Sequence, residues 1–423
     1  MTTARIAAAP LLAAALASAC AAVAEQTPID CRVARTDTRL AECPVVRRAS
    51  EFGQCLSRDE IGRHACVVMD RDLSLCEDEP PMPITLWFDE SGKTLDCGGG
   101  VIDHGWGRHG APDGVPATDG PANLPLIRFR EDRSLGNITV RDCTLRGTLQ
   151  VGVQMTRFFG GELGGDGELG ESEPLPLGHH DILFRDVRIE DVRIGIYLGT
   201  FSRDVTLERV SIDGTERIAL YSEAGTHRLS VRDSSFTDNR TREAIALDST
   251  YDSEIVDSTI ARNREGGVYV YHNCGELKGS VCPVVRPTPP RDIRIRGNRF
   301  VANGETDLQI ASRQGRNHSL GWCEALDGLP GKFTDSVEDG TVEDNVFVCR
   351  EGTALAVKDG PNLVRGNRIV ARGACVPLEI STGGLGRNAA PLLDGLSVTG
   401  NRIDATRPPR LRNVDPDVVR FED

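Results

Sequence analysis

Tyr271 and His272 are adjacent in the chain, and a phenol beside an imidazole is a pair able to pass protons near neutral pH. Tyr271 closes the phrase Val268-Tyr269-Val270, just as Asp248 closes Ile245-Ala246-Leu247 and Tyr221 closes Ile218-Ala219-Leu220. Lys358 closes Leu355-Ala356-Val357 in the same way, and Arg313 follows shortly after Leu308-Gln309-Ile310. Acid–base groups, a carboxylate and cations at matching places suit removal of the proton beside a sugar carboxylate. A cation must then neutralise that carboxylate as charge builds. Tyr271 or His272 would transfer the proton, and Arg313, Lys358 or a calcium ion would neutralise. The carboxylates alone allow a second class, glycoside hydrolysis, in which two acids flank the bond and one is protonated. Asp248 with Glu223 or Glu243 would serve there. Tyr197, Tyr221 and Tyr269 offer flat faces for sugar C–H surfaces, and Glu223, Glu243, Asn273, Glu276 and Gln309 offer hydrogen-bonding groups. A glycan-binding protein without catalysis would need no more than these.

Such residues are useful only if the chain brings their phrases together. The phrase with two aliphatics also occurs as Ile196-Tyr197-Leu198 and Leu378-Glu379-Ile380, and the first four copies start 22, 27 and 23 residues apart. A period of that length marks a solenoid, whose units bury by stacking a face that none could bury alone. Apolar positions alternating with period two make each unit a strand. In-register stacking makes parallel sheets, so the expected architecture is all-β, a parallel β-helix. The residues between the aliphatics would then form one outward column: Tyr197, Ala219, Ala246, Tyr269, Gln309, Ala356 and Glu379. Those one step later would form another: Gly199, Tyr221, Asp248, Tyr271, Ala311, Lys358 and Ser381. Both columns are expected to face solvent, with Tyr221, Asp248 and Tyr271 on one sheet.

Long insertions follow these strands, one through Cys274, Glu276 and Cys282, another through His318, Trp322 and Cys323, and loops on one edge of a rigid scaffold commonly build its binding site. Asn298, Asn345, Asn367 and Asn401 recur at a polar corner and are expected to tolerate left-handed backbone there and to hydrogen-bond one another between units. His179-His180 reads as a turn. Asp103, His104 and His109 are a weak metal set.

The ends read differently. Residues 1–24 carry Arg5, an Ala/Leu-rich run and the small-x-small site Ala22-Val23-Ala24, the pattern of a secretory signal. Leu16-Ala17-Ser18-Ala19-Cys20 loosely matches a lipoprotein box, so anchoring at Cys20 is the alternative to secretion or a periplasmic location. Without Cys20 the remaining cysteines of the 13 are even in number, as disulfides require. Cys31, Cys43, Cys55, Cys66 and Cys76 lie 10 to 12 residues apart, which suggests a disulfide-rich cap over 25–83, closing with Cys97. Cys274 is expected to pair with Cys282. The solenoid is expected over 84–405 and an irregular tail over 406–423. A formal charge of −14 disfavours nucleic acid as partner, and no second apolar run is long enough to span a membrane. The expected partner is a polysaccharide, met by a monomer.

The repeated coil, the opening corner Leu95-Asp96-Cys97-Gly98-Gly99-Gly100 and the asparagine ladder resemble the right-handed parallel β-helix superfamily of pectate lyases over roughly 84–405. The resemblance implies a right-handed coil and a carbohydrate-active enzyme, of which lyases, C-5 epimerases, polygalacturonases and fructotransferases are examples. The Asp-Pro-His motif of alginate epimerases and the paired aspartates of polygalacturonases are not found. The resulting expectation is an exported enzyme acting on an acidic polysaccharide by β-elimination or C-5 epimerisation of uronates. The alternatives are a glycoside hydrolase or transglycosidase, and a non-catalytic solenoid.

Overall fold

A computed structural model of the chain describes residues 45–61, 65–105, 124–156, 178–223, 225–272, 290–311, 337–382, 393–412, 414 and 420–422. Residues 1–24, Cys31, Cys43, His109, Asn273, Cys274, Glu276, Cys282, Arg313, His318, Trp322 and Cys323 lie outside the described residues.

Each coil crosses three strands. One runs Arg203–Glu208, Ser211–Asp213, Ile218–Ser222, and the next runs His227–Arg232, Ser235–Thr237, Glu243–Asp248. Among the described residues neighbouring strands pair in parallel, for example Val205 with Leu229, Ile212 with Phe236, and Leu220 with Ile245. Alternation puts Leu229 and Val231 inside while their neighbours face out, so each coil adds a layer to one continuous apolar core. Phe300 and Phe347 stack within it, ring centroids 4.7 Å apart and 8° from parallel. The result among the described residues is a parallel β-helix with a 12-stranded sheet and a 21-stranded one. Two long strands, Thr144–Met155 and Arg188–Leu198, pass through both strand series of the larger sheet, and their register shifts between Val192 and Ile194.

The ladder extends past both expected limits. Ala65–Met69 pairs with Ile84–Phe88 and with Val46–Arg48, so coil-like pairing begins well before residue 84. Beyond 405, Arg410–Arg412 pairs with Val376–Ser381, and Arg420–Glu422 with Ser397–Thr399. Disulfides join Cys55 to Cys76, Cys97 to Cys143 and Cys349 to Cys375. Cys97 therefore does not close the cap. Its strand Thr94–Asp96 pairs with Gly136–Arg141, which delivers Cys143 to it instead.

The asparagine ladder exists, with a correction to its corner. Asn298, Asn345 and Asn367 each donate through Nδ2 to the Oδ1 of the next member, ending on Asn401, at 3.1, 3.0 and 2.8 Å. The left-handed residues are the ones just before, Gly297, Asp344, Gly366 and Gly400, so the asparagines are free to point inward and bond. A second ladder passes from Asn263 to Asn303 at 2.7 Å and ends on Asp307, whose Oδ1 accepts from Asn303 Nδ2 at 2.7 Å. Asp307 is fully buried and its Oδ2 has no hydrogen-bond partner, and burial pushes its carboxyl up to about 7 against the pull of Asn303.

Candidate functional site

The strand register rearranges the expected columns. Ile196 pairs with Leu220 and Tyr197 with Tyr221, not with Ala219. Tyr221 then faces Ala246, Ala246 faces Tyr269, and Tyr269 faces Gln309. Tyr221 thus belongs to the column of Tyr197 and Tyr269, while Asp248 and Tyr271 are partners in the other column. Ala219 turns into the main core. The phrases looked equivalent because a two-residue slip of Ile218–Ser222 against both neighbouring strands preserves the inward–outward alternation.

Solvent exposure is the second correction. Tyr221 is 8% exposed, Tyr271 1% and Asp248 0%. They lie outside the main core, in a small cluster of Ile218, Tyr221, Ala246 and Tyr271 packed against Tyr197 and Tyr269. The small side chain of Ala246 leaves room for the flanking rings, and Gly266 does the same for Tyr269, since a Cβ there would sit 2.6 Å from that phenol oxygen. Tyr197 and Tyr221 pack with centroids 5.0 Å apart at 43°.

Two tyrosine–carboxylate pairs result. Tyr221 donates its hydroxyl to Asp248 Oδ2 at 3.0 Å, and Ser249 Oγ donates to Oδ1 at 3.1 Å. Both Asp248 oxygens therefore accept, which fixes the direction of this side chain. Tyr271 donates to Glu243 Oε1 at 3.1 Å, reaching back over Ala246, and Arg242 Nε donates to Glu243 Oε2 at 3.3 Å. Desolvation works against the Arg242 charge, but Glu243, Tyr271 and Glu265 outweigh it and raise its pKa. Burial, reinforced by Glu243, Glu305 and Glu265, raises the Tyr269 phenol, so this hydroxyl remains a neutral donor, given to Glu265 O at 3.1 Å.

Tyr197, Tyr221, Glu243, Asp248, Tyr269 and Tyr271 are thus gathered on one outward face. Glu223, buried, follows Ser222, which pairs with Leu247, so it lies beside Asp248 in the next coil. His272 is buried directly after Tyr271. Lys358 does not reach the centre. It lies two coils beyond Tyr271, about 10 Å at the usual strand spacing, and donates to Gln309 Oε1 at 3.1 Å. Glu379 is further still, paired with Arg410 at 3.0 Å. Arg313, Asn273 and Glu276 lie outside the described residues. Arg242, a cation that the described residues place at the cluster, was missed because it precedes its strand, outside the repeated phrase. Among the described residues no group of three or more His, Cys, Asp or Glu side chains is placed to hold a metal. His104 bonds Ile84 O at 2.8 Å, and His179 packs on Phe129 at 5.2 Å, both as core histidines.

Residues 176–284 match the family model described as a right handed beta helix region. Among solved structures, the A-module of mannuronan C-5 epimerase AlgE6 from Azotobacter vinelandii aligns over 89% of this chain and 91% of its own, at 13% identity and a TM-score of 0.49. The periplasmic alginate epimerase AlgG aligns over 100% and 99%, at 9% identity and a TM-score of 0.45. DFA-IIIase from Arthrobacter chlorophenolicus A6 aligns over 86% and 98%, at 12% identity and a TM-score of 0.40. No curated protein matches. Strand register and family match together make this chain a right-handed parallel β-helix protein.

Proposed function

We propose that this protein is an exported carbohydrate-active enzyme that moves protons at one sugar residue of an acidic polysaccharide, by β-elimination or C-5 epimerisation. The observation that carries this reading is the two tyrosine–carboxylate pairs, Tyr221–Asp248 and Tyr271–Glu243, on the outward face of adjacent coils. Asp248, oriented by Tyr221 and Ser249, takes the proton from the carbon beside the uronate carboxyl. Arg242, the cation bonded to Glu243, offsets the charge that then gathers on that carboxyl. Tyr271 gives its phenolic proton either to the leaving oxygen, as the C–O bond breaks, or to the opposite face of the same carbon. Glu243, accepting from Tyr271, holds the phenol in place. The disulfides support export to an oxidising compartment.

The test is incubation of the purified protein with polyuronates and neutral glycans. An unsaturated product, or solvent deuterium entering the polymer without cleavage, supports the two forms of the reading, and neither product from any polyuronate sinks it. One observation favours a second reading. Glu223 and Asp248 sit side by side on adjacent coils, their backbones about 5 Å apart by strand spacing, and a glycosidase works with a pair of carboxylates. Reducing ends released without an unsaturated product, and lost in Asp248→Asn, would move the protein to the hydrolases.

A further inference from the structure

The Tyr197–Tyr221 column continues toward the N-terminus. Tyr197 pairs with Gln154, Gln154 with Arg128, and Arg128 with Trp87. An outward column that carries flat rings at its centre thus carries a guanidinium and an indole three to four coils earlier. Arg128 is 1% exposed and its guanidinium carbon lies 4.7 Å from the Trp87 ring centre. Its Nη2 donates to Glu131, which also accepts from Thr156 Oγ1 at 3.0 Å, so that carboxylate is shared. Arg128 Nε, Arg128 Nη1 and Trp87 Nε1 are buried without a hydrogen-bond partner among the described residues. Three N–H donors and no acceptor to answer them is a costly arrangement in a folded chain, and a guanidinium that is shielded from water is costlier still.

We propose that Arg128 and Trp87 form a recognition site for an oxyanion carried by a glycan, a carboxylate or a sulfate ester. The proposal rests on the reading that the glycan follows this column. The chemistry is selective because the unpaired groups are all donors: they are satisfied by an acceptor-rich anion and not by a hydroxyl alone. Trp87 adds its indole donor, and its buried ring, lying under the guanidinium, holds Arg128 in place. About 14 Å, three coil spacings, separates Arg128 from Tyr221, so the site fixes the polymer's register several residues from the chemistry. A net charge of −14 repels polyanions in general, which leaves a local site of this kind as the means of holding one.

The test is calorimetric titration of the full chain with four polymers: polygalacturonate, its methyl ester, dextran sulfate and dextran. Wild type is expected to bind at least one anionic polymer and to discriminate against its neutral counterpart. Binding of polygalacturonate alone assigns the site to carboxylates, of dextran sulfate alone to sulfate esters, and of both to the oxyanion they share. Arg128→Lys keeps the charge for Glu131 but lacks the planar fork, and should weaken anionic binding about tenfold to a hundredfold. Trp87→Phe keeps the ring and loses one donor, and should weaken it less. Failure to bind either anionic polymer, equal affinity for anionic and neutral forms, or unchanged affinity in Arg128→Lys overturns the proposal. If Arg128→Lys does not fold, unchanged affinity in Trp87→Phe overturns it. Binding through Arg128 with no turnover of any glycan would refute the enzymatic reading alone. Turnover with kcat/KM indifferent to Arg128→Lys would refute this proposal alone.

Discussion

Two sets of side-chain columns run along this helix, and both join neighbouring coils through carboxylates. At the left-handed corners the partners are arginines: Asp186 with Arg209, Asp204 with Arg228 and Asp238 with Arg262, each donor and acceptor one coil apart. On the outward face of the larger sheet the partners are the phenols of Tyr221 and Tyr271. The corner pairs stand in water, where ion pairs contribute little and serve mostly to match one coil to the next. The phenol pairs are buried, where an unmade bond is expensive and a made one fixes the position of two atoms. Spacing is the same in both. Desolvation separates a surface staple from a place where protons can be handled.

The sharpest way to break that comparison is Tyr271→Phe. If the phenol is an acid, turnover of a responsive glycan should fall about 10²–10⁴-fold while binding stays nearly intact, read as kcat against substrate affinity. Full activity removes Tyr271 from the chemistry. The next test concerns burial without either partner type. Among the described residues Asp307 has only Asn303 as donor, and its raised pKa means the folded state holds a proton that the unfolded chain gives up near pH 4. Its contribution is therefore complete below about pH 4 and is lost as pH rises toward about 7, at up to about 1.4 kcal/mol per pH unit. Denaturant melts across that window should show the fall in wild type and its absence in Asp307→Asn. The corner carboxylates have the opposite sign: the Arg228 hydrogen bond holds Asp204 below its ordinary value, so its contribution fades as pH drops below about 4.

A smaller effect is expected from Tyr221→Phe, which takes a donor from buried Asp248 and should cost about 1–3 kcal/mol of stability by chemical unfolding. The smallest belongs to the corners. Arg228→Ala should cost about 0.2–1 kcal/mol, shrinking further in high salt. A corner loss as large as that of Tyr221→Phe would erase the distinction drawn between the two sets.

Much of this was legible before any coordinates. The aliphatic pairs of Ile245-Ala246-Leu247 and Val268-Tyr269-Val270 were read as inward, with the residues between them facing out, and both lie so. Asn298, Asn345, Asn367 and Asn401 were read as a ladder and are one. The site was legible only as an inventory. Tyr221 was placed one column away from its own, because parity survives a slip of two. Lys358 shares the column of Tyr271, as expected, but two coils away, where it bonds Gln309. Arg242, Arg128 and Trp87 gave no signal, since none lies in the repeated phrase.

By itself, then, the sequence determined the period, the parallel coil and which face of each strand is apolar, since these follow from local alternation and from the need of each unit to bury its face against the next. Tertiary structure decided which phenol meets which carboxylate, how deeply they are buried and which cation stands beside them. The register between coils sets Tyr221 opposite Ala246 and Asp248 opposite Tyr271, and the contacts between residues 27 or 28 positions apart depend on it. Alternation, which repeats every two residues, carries no record of it.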